Sequence, residues 1–265
     1  MTDALLETIE DGVAVLTMNR PERRNALNGD MLAAMLETFP RLANDSNVGC
    51  VILTGAGVGF CAGGDVKAMA EGRERDDMSL EAQIQELRNI METSRWLHEM
   101  PKPTIAMVGG AAAGAGLSLA LSCDMRIAAD NAKFTTAFAN VGFSGDFGGS
   151  YFLTKLVGTA KARELYYTAA LLTADEAADL GMVNRVVAAA NLDAETMALA
   201  KGIAAGPSIA LRYMKRNMNA AEAGNTLSEH LDLEAAHHAR CGMTQDHKEA
   251  TKAFVEKRKP TFVGR

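Results

Sequence analysis

The clearest pattern lies near the start, where Val13 to Asn19 (VAVLTMN) alternates apolar with small or polar residues and predicts a strand. A shorter run, Leu5 to Ile9, precedes it, and the Asp11-Gly12 turn between them predicts a hairpin. Pro21 ends the second strand. Asn28 then caps a helix in which Met31, Leu32, Met35, Leu36 and Phe39 recur at helical spacing. Cys50 to Thr54 (CVILT) is continuously apolar, as expected of a strand covered on both faces. A glycine-rich loop follows, Gly55 to Gly64, and Glu71 to Ser79 is so charged that it predicts a mobile surface loop. Helical periodicity returns from Leu80 to Glu99.

Pro101 and Pro103 reset the chain before a strand at Thr104 to Val108. A second glycine-rich turn, Gly109 to Gly116, opens a helix through Leu117 to Leu121, and Met125 to Ala128 predicts another strand. From Thr159 onward helical patterns dominate: Lys161–Thr168, Ala174–Leu180, Asp193–Ala204, Ser208–Ala220, Leu227–Ala239 and Gln245–Lys257. The order implies an α/β core followed by helices whose apolar stripes dock against another subunit.

The 265 residues are long enough for one sizeable core. With 5% aromatics and 15 methionines, that core rests on aliphatic and thioether side chains, which suit helix packing and irregular apolar tunnels. A net charge of −6 argues against nucleic-acid binding, which needs a basic face. Cys50, Cys61, Cys123 and Cys241 form no CxxC pair, so no structural metal is expected and the thiols read as reduced. The acidic start, Met1 to Gly12, lacks the layout of a secretory signal, and no apolar stretch approaches the ~20 residues of a membrane span. A cytoplasmic protein without membrane or nucleic-acid partners is expected.

Each glycine-rich turn follows a buried strand and leads into a helix, where free N–H groups and the positive dipole end face outward. Two such turns converging on one point would hold an oxyanion. A Rossmann-type reading of Gly110, Gly114 and Gly116 fails, because they are out of G-x-G-x-x-G register.

Four stretches together resemble the enoyl-CoA hydratase/isomerase (crotonase) superfamily. Asn19-Arg20-Pro21-Glu22-Arg23-Arg24-Asn25-Ala26-Leu27 is similar to the family's N-R-P-x-x-x-N-A-L. Phe60-Cys61-Ala62-Gly63-Gly64-Asp65-Val66-Lys67 is similar to its glycine-rich F-x-A-G-x-D-[IVL]-K stretch. Val108 to Gly116, continuing to Cys123-Asp124, resembles its glycine turn, helix and C-D, and Ala253 to Arg258 resembles A-F-x-E-K-R.

The resemblance implies a crotonase-like ββα superhelix core, residues 1–200, and a C-terminal helical trimerisation segment, residues 201–265. It implies a homotrimer or a hexamer built as a dimer of trimers. It also implies an acyl-CoA thioester substrate and no cofactor, since coenzyme A is part of the substrate. By residue-for-residue carry-over, the N–H groups of Gly64 and Ala115 form the oxyanion hole. Arg24, Ala62, Asp65 and Lys67 hold coenzyme A, with Phe254 and Lys257 lent by a neighbouring subunit.

Family hydratases place two glutamates around the alkene, and counting back from and on past Cys123-Asp124 these positions are Ser118 and Phe138. The remaining acid is Asp146, in Ser144-Gly145-Asp146-Phe147-Gly148-Gly149-Ser150. This stretch resembles the P-D-x-G-G-[ST] turn of family isomerases, including the epoxyphenylacetyl-CoA isomerase group, with Gly145 in place of the proline. Phe134, Phe138, Phe143 and Phe147 crowd the same segment and would raise the pKa of the carboxylate if they line its pocket. Asp146 could instead simply cap the helix starting near Gly149. His98, His237 and His238 read as structural or surface groups, Trp96 as core, and Met91 and Met100 as possible borders of an acyl tunnel. Three readings stay open: an isomerase run by Asp146, a hydratase of unusual design, and a nonenzymatic CoA-ester-binding scaffold.

Overall fold

The computed structural model describes residues 3–66 and 78–265. Most of the stretch expected to be a mobile loop, and Lys67, therefore lie outside the described residues. Among those described, the strands β1 (Leu5–Glu10), β2 (Val13–Met18), β3 (Cys50–Gly55), β5 (Thr104–Val108), β7 (Met125–Ala129) and β10 (Arg185–Val187) form one sheet in that order. Only the β1–β2 hairpin in it is antiparallel. A second sheet takes the short strands β4 (Gly59–Cys61), β6 (Ala111–Ala113), β8 (Lys133–Thr135) and β9 (Leu172–Thr173).

Each long strand β3, β5 and β7 is followed directly by its short partner β4, β6 and β8, and both sets stack in the same order. The chain thus climbs in repeated strand–strand turns, the ββα superhelix that the resemblance implies. Period-2 burial explains the first sheet. Val51 and Leu53 face the main core, while Cys50 and Ile52 face α8 (Leu192–Ala204) across Leu192 and Ala200.

Helix α1 (Gly29–Asn44) starts where Asn28 accepts from Met31 N at 3.1 Å and buries Met31, Met35, Phe39 and Leu42. The segment expected as one helix from Leu80 divides into α2 (Leu80–Ile90) and α3 (Glu92–Glu99) at Met91. The two halves follow different surfaces: α2 has no fully buried residue, whereas α3 buries Thr93, Ser94 and Leu97.

Helix α4 (Ala115–Ser122) is buried throughout and packs against α5 (Gly149–Val157), which in turn packs on α6 (Thr159–Thr168). After α7 (Ala174–Asp179) and α8, the chain ends in α9 (Ser208–Ala223), α10 (Leu227–Gly242) and α11 (Gln245–Val255). One buried ion pair pins α9 to the core. Lys215 Nζ donates to the carbonyls of Leu97 and Lys102, both at 3.0 Å, and to Asp124 Oδ2 at 2.8 Å. Asp124 also accepts from Thr104 N at 2.7 Å, so the aspartate of the C-D pair is a structural latch. Met214, Met218, Leu227, Leu231 and Phe254 leave apolar surface exposed on these last helices. No helix among the described residues is long and apolar enough to cross a membrane.

Candidate active site

Because β4 and β6 pair in parallel, the glycine turns that follow them leave adjacent strands at the same end. They touch backbone to backbone. Gly63 has φ +92°, and a Cβ there would sit 2.8 Å from Ala113 O and 3.4 Å from Ala115 N. At Gly116 a Cβ would sit 2.3 Å from Cys61 O, so only glycine permits this contact.

A parallel bridge between Leu27 and Gly64 joins the first turn to the chain before α1, with Leu27 N donating to Gly63 O at 2.8 Å. Such a bridge uses the peptide groups flanking Gly64 and leaves its own N–H facing away from Leu27. Ala115 opens α4 behind Gly114, which supplies no side-chain cap, so its N–H belongs to the unsatisfied first turn. Among the described residues neither N–H donates to a carbonyl.

The Asn19–Leu27 stretch clips this turn in place. Asn25 is fully buried; its carboxamide donates to Ala56 O at 2.9 Å and Gly59 O at 2.8 Å and accepts from Arg20 N at 3.0 Å. Arg24 O accepts from Ala62 N at 3.0 Å, and Arg20 pairs with Asp65 at 3.1 Å. Arg24, Ala62 and Asp65 therefore gather beside Gly64, with the Arg24 side chain exposed. Arg20 and Asn25 thus organise the turn, a role that their place in the Asn19–Leu27 motif did not reveal. Phe254, 85% exposed, and Lys257 lie at the end of α11, whose main packing partner is α10, so a single chain does not bring them to the turns.

Asp146 sits in the loop before α5. It does not cap that helix through its side chain: its backbone carbonyl accepts from Gly149 N at 3.0 Å, and the capping position is Gly148. Its Oδ1 is instead buried without a hydrogen-bond partner among the described residues. Burial raises its pKa to about 6. The loop is held in an uncommon shape, with Gly145 at φ +120°, Phe147 at +47° and Gly148 at +73°. A proline, fixed near φ −65°, could not replace Gly145 here.

Phe134, Phe138 and Phe147 are buried, whereas Phe143 is exposed. The start of α5 packs on α4, where a Cβ at Gly149 would sit 2.2 Å from Ser118 Oγ. Burial pushes the Cys61 thiol up to about 12, and the charge of Asp146 adds to the rise.

Other candidates fall outside this cluster. An open cleft of about 370 Å³ between α3, α5 and α9 is lined by Met91, Ser94, His98, Gly148, Phe152 and Asn219, while Met100 is wholly in the core. His237 is buried against Asn217 and stacks on Tyr213, and Trp96 packs partly buried on the core. Among the described residues no group of three His, Cys, Asp or Glu side chains could hold a metal ion.

Residues 8–265 match the family model described as enoyl-CoA hydratase/isomerase. The chain is 38% identical over its whole length to a 1,2-epoxyphenylacetyl-CoA isomerase of Escherichia coli (strain K12), all of which is covered. An enoyl-CoA hydratase structure from Polaromonas sp. JS666 superposes with a TM-score of 0.91 at 36% identity, covering 97% of this chain and 99% of that one. An enoyl-CoA hydratase structure from Bacillus anthracis gives 0.91 at 30% identity, covering 99% and 100%.

Proposed function

The chain belongs to the enoyl-CoA hydratase/isomerase family, and from that premise we propose that it is a cytoplasmic acyl-CoA isomerase in which Asp146 carries a proton between carbons of a thioester enolate. One observation carries this reading above the others: a buried carboxylate oxygen without a partner belongs to the loop leading into α5, which packs on the helix that Ala115 opens. Ser118 and Phe138 stand at the positions of the hydratase glutamates, which leaves one carboxylate for one shuttled proton.

The thioester oxygen sits between the N–H groups of Gly64 and Ala115, each worth about 10²–10³ in rate as charge develops on it. Asp146 removes the proton that the enolate makes acidic and returns it to another carbon of the same conjugated system. Arg24, Ala62, Asp65 and Lys67 hold coenzyme A. Phe254 and Lys257 reach its nucleotide end from a neighbouring copy, and residues 201–265 form the trimerisation segment of a trimer or a dimer of trimers.

At pH 7 Asp146 is mostly ionised and able to act as base. The rate constant kcat/KM therefore rises as pH climbs through about 6 and then levels off. Stability runs the other way. The folded carboxyl binds its proton more tightly than the unfolded one, so its contribution is full below about pH 4 and is lost as pH rises through about 6. Asp146→Asn never ionises, so its melting temperature should gain on the wild type above about pH 6 relative to the difference at about pH 4. A difference independent of pH would remove the raised carboxyl from the account.

The reaction itself is tested with a trans-3-enoyl-CoA in D₂O, read by mass spectrometry. A positional isomer labelled at the α or γ carbon supports the isomerase. Addition of one water supports a hydratase, and binding without label supports a scaffold.

A further inference from the structure

Helix α11 closes on an uncommon residue. Arg258 N donates to Ala253 O at 3.0 Å and Lys257 N to Phe254 O at 3.2 Å, the two bonds that end a helix through a left-handed residue. Glycine usually takes that position, but here it is Lys257, at φ +54°. A lysine stays in this region only where its surroundings hold it.

The segment after the helix does the holding. Arg258 lays a fork on Glu249, Nη1 donating to Oε1 at 2.6 Å and Nη2 to Oε2 at 2.9 Å, while its Nε donates to Glu256 at 2.7 Å. Glu249 Oε1 also accepts from Thr261 N at 3.0 Å. One turn earlier Asp246, 2% exposed, accepts from Val263 N at 2.7 Å and from Gly264 N at 3.0 Å. Residues 258–264 are thus buckled back along α11. At Gly264 they also meet the start of α9, where a Cβ would sit 2.8 Å from Ser208 Oγ. The buckle consumes Arg258 and spares its neighbour. Lys257 is exposed and makes no ion pair among the described residues, beside a Phe254 that is 85% exposed.

We infer that Glu249 is a positioning residue for coenzyme A: by fixing Arg258 it sets the turn that presents Phe254 and Lys257 to the nucleotide bound by a neighbouring copy. The inference rests on the proposed reading that this pair reaches that nucleotide. Glu249 itself never touches the ester. Arg258 holds the Glu249 carboxyl down at about 2, so the clamp persists at any working pH. With Arg258 neutralised, Lys257 is the cation left for a phosphate.

The test is calorimetric and needs no turnover. Butyryl-CoA and butyryl-pantetheine, which lacks the nucleotide, are titrated into wild type, Lys257→Ala, Glu249→Gln and the double variant. Lys257→Ala should weaken butyryl-CoA about tenfold and leave butyryl-pantetheine unchanged. Glu249→Gln should weaken butyryl-CoA about threefold, again sparing butyryl-pantetheine, although losing a negative charge by itself favours an anionic ligand. The double variant should bind no more weakly than Lys257→Ala, because the glutamate acts through the lysine turn. Additive losses, or equal losses for both esters, would overturn the inference. So would a gain in Glu249→Gln, which would show Arg258 released to take a phosphate, or dissociation of its copies in sedimentation. Lys257→Ala binding butyryl-CoA as wild type does would sink the nucleotide reading and the inference with it. A loss in Lys257→Ala but none in Glu249→Gln would sink the inference alone.

Discussion

Asp146→Asn should lower turnover of a trans-3-enoyl-CoA by about 10²–10⁴-fold while leaving ester affinity nearly unchanged. The amide cannot accept the proton, and the positions that the resemblance gives to the hydratase glutamates hold Ser118 and Phe138, neither of them a carboxylate. Binding should survive because the proposed mode holds the ester elsewhere, at the glycine turns and the residues around Arg24 and Asp65. The loop should survive too: its shape is set by Phe147, buried in the core, and by the Asp146 carbonyl accepting from Gly149 N, neither of which involves the carboxylate. Stopped-flow binding together with steady-state rates separates the two effects. Equal losses in affinity and turnover would recast Asp146 as a structural residue.

Lys215→Met should cost about 3 kcal/mol of folding stability, near the low end for breaking a buried ion pair. The ammonium group is 4% exposed and satisfies three acceptors at once: Leu97 O, Lys102 O and Asp124 Oδ2. Methionine fills much of the same space but leaves all three without their donor. Asp124 retains Thr104 and is 24% exposed, so water offsets part of the loss. Because this contact joins α9 to the start of β5, the damage should fall first on docking of the C-terminal helices. Urea unfolding followed by far-UV circular dichroism measures the cost. A loss below about 1 kcal/mol would place the pair with ordinary surface salt bridges.

Five strands of the first sheet were legible because they carry strong apolar signals, as in Cys50 to Thr54 with its two buried faces; β10, three residues long, was not. The second sheet was not. Gly59–Cys61, Ala111–Ala113 and Lys133–Thr135 are three residues each, too short for any period to show, and they form because the long strands before them deliver them side by side. The break at Met91 escaped because apolar spacing continues across it while the packing surface changes.

Within the site, the glycine turns were legible as strand-to-helix turns, and the structure adds that they pack against each other at Gly63 and Gly116. The aspartate was found only through resemblance, and nothing in its neighbours foretold that Gly145 would take φ +120°. Arg20 and Asn25 stand in the Asn19–Leu27 motif, but their roles were not legible, because hydrogen bonds to residues far along the chain follow no period. Phe143 shows the limit of composition: it shares a segment with three buried phenylalanines and yet faces solvent.

Catalysis depends first on where negative charge is held during the reaction. A crystal structure with an unreactive acyl-CoA thioester tests it most directly. The carbonyl oxygen should lie about 3 Å from the backbone nitrogens of both Gly64 and Ala115, with the Asp146 carboxylate facing the α or γ carbon. A carbonyl lodged elsewhere, or either N–H turned away from it, would contradict the account.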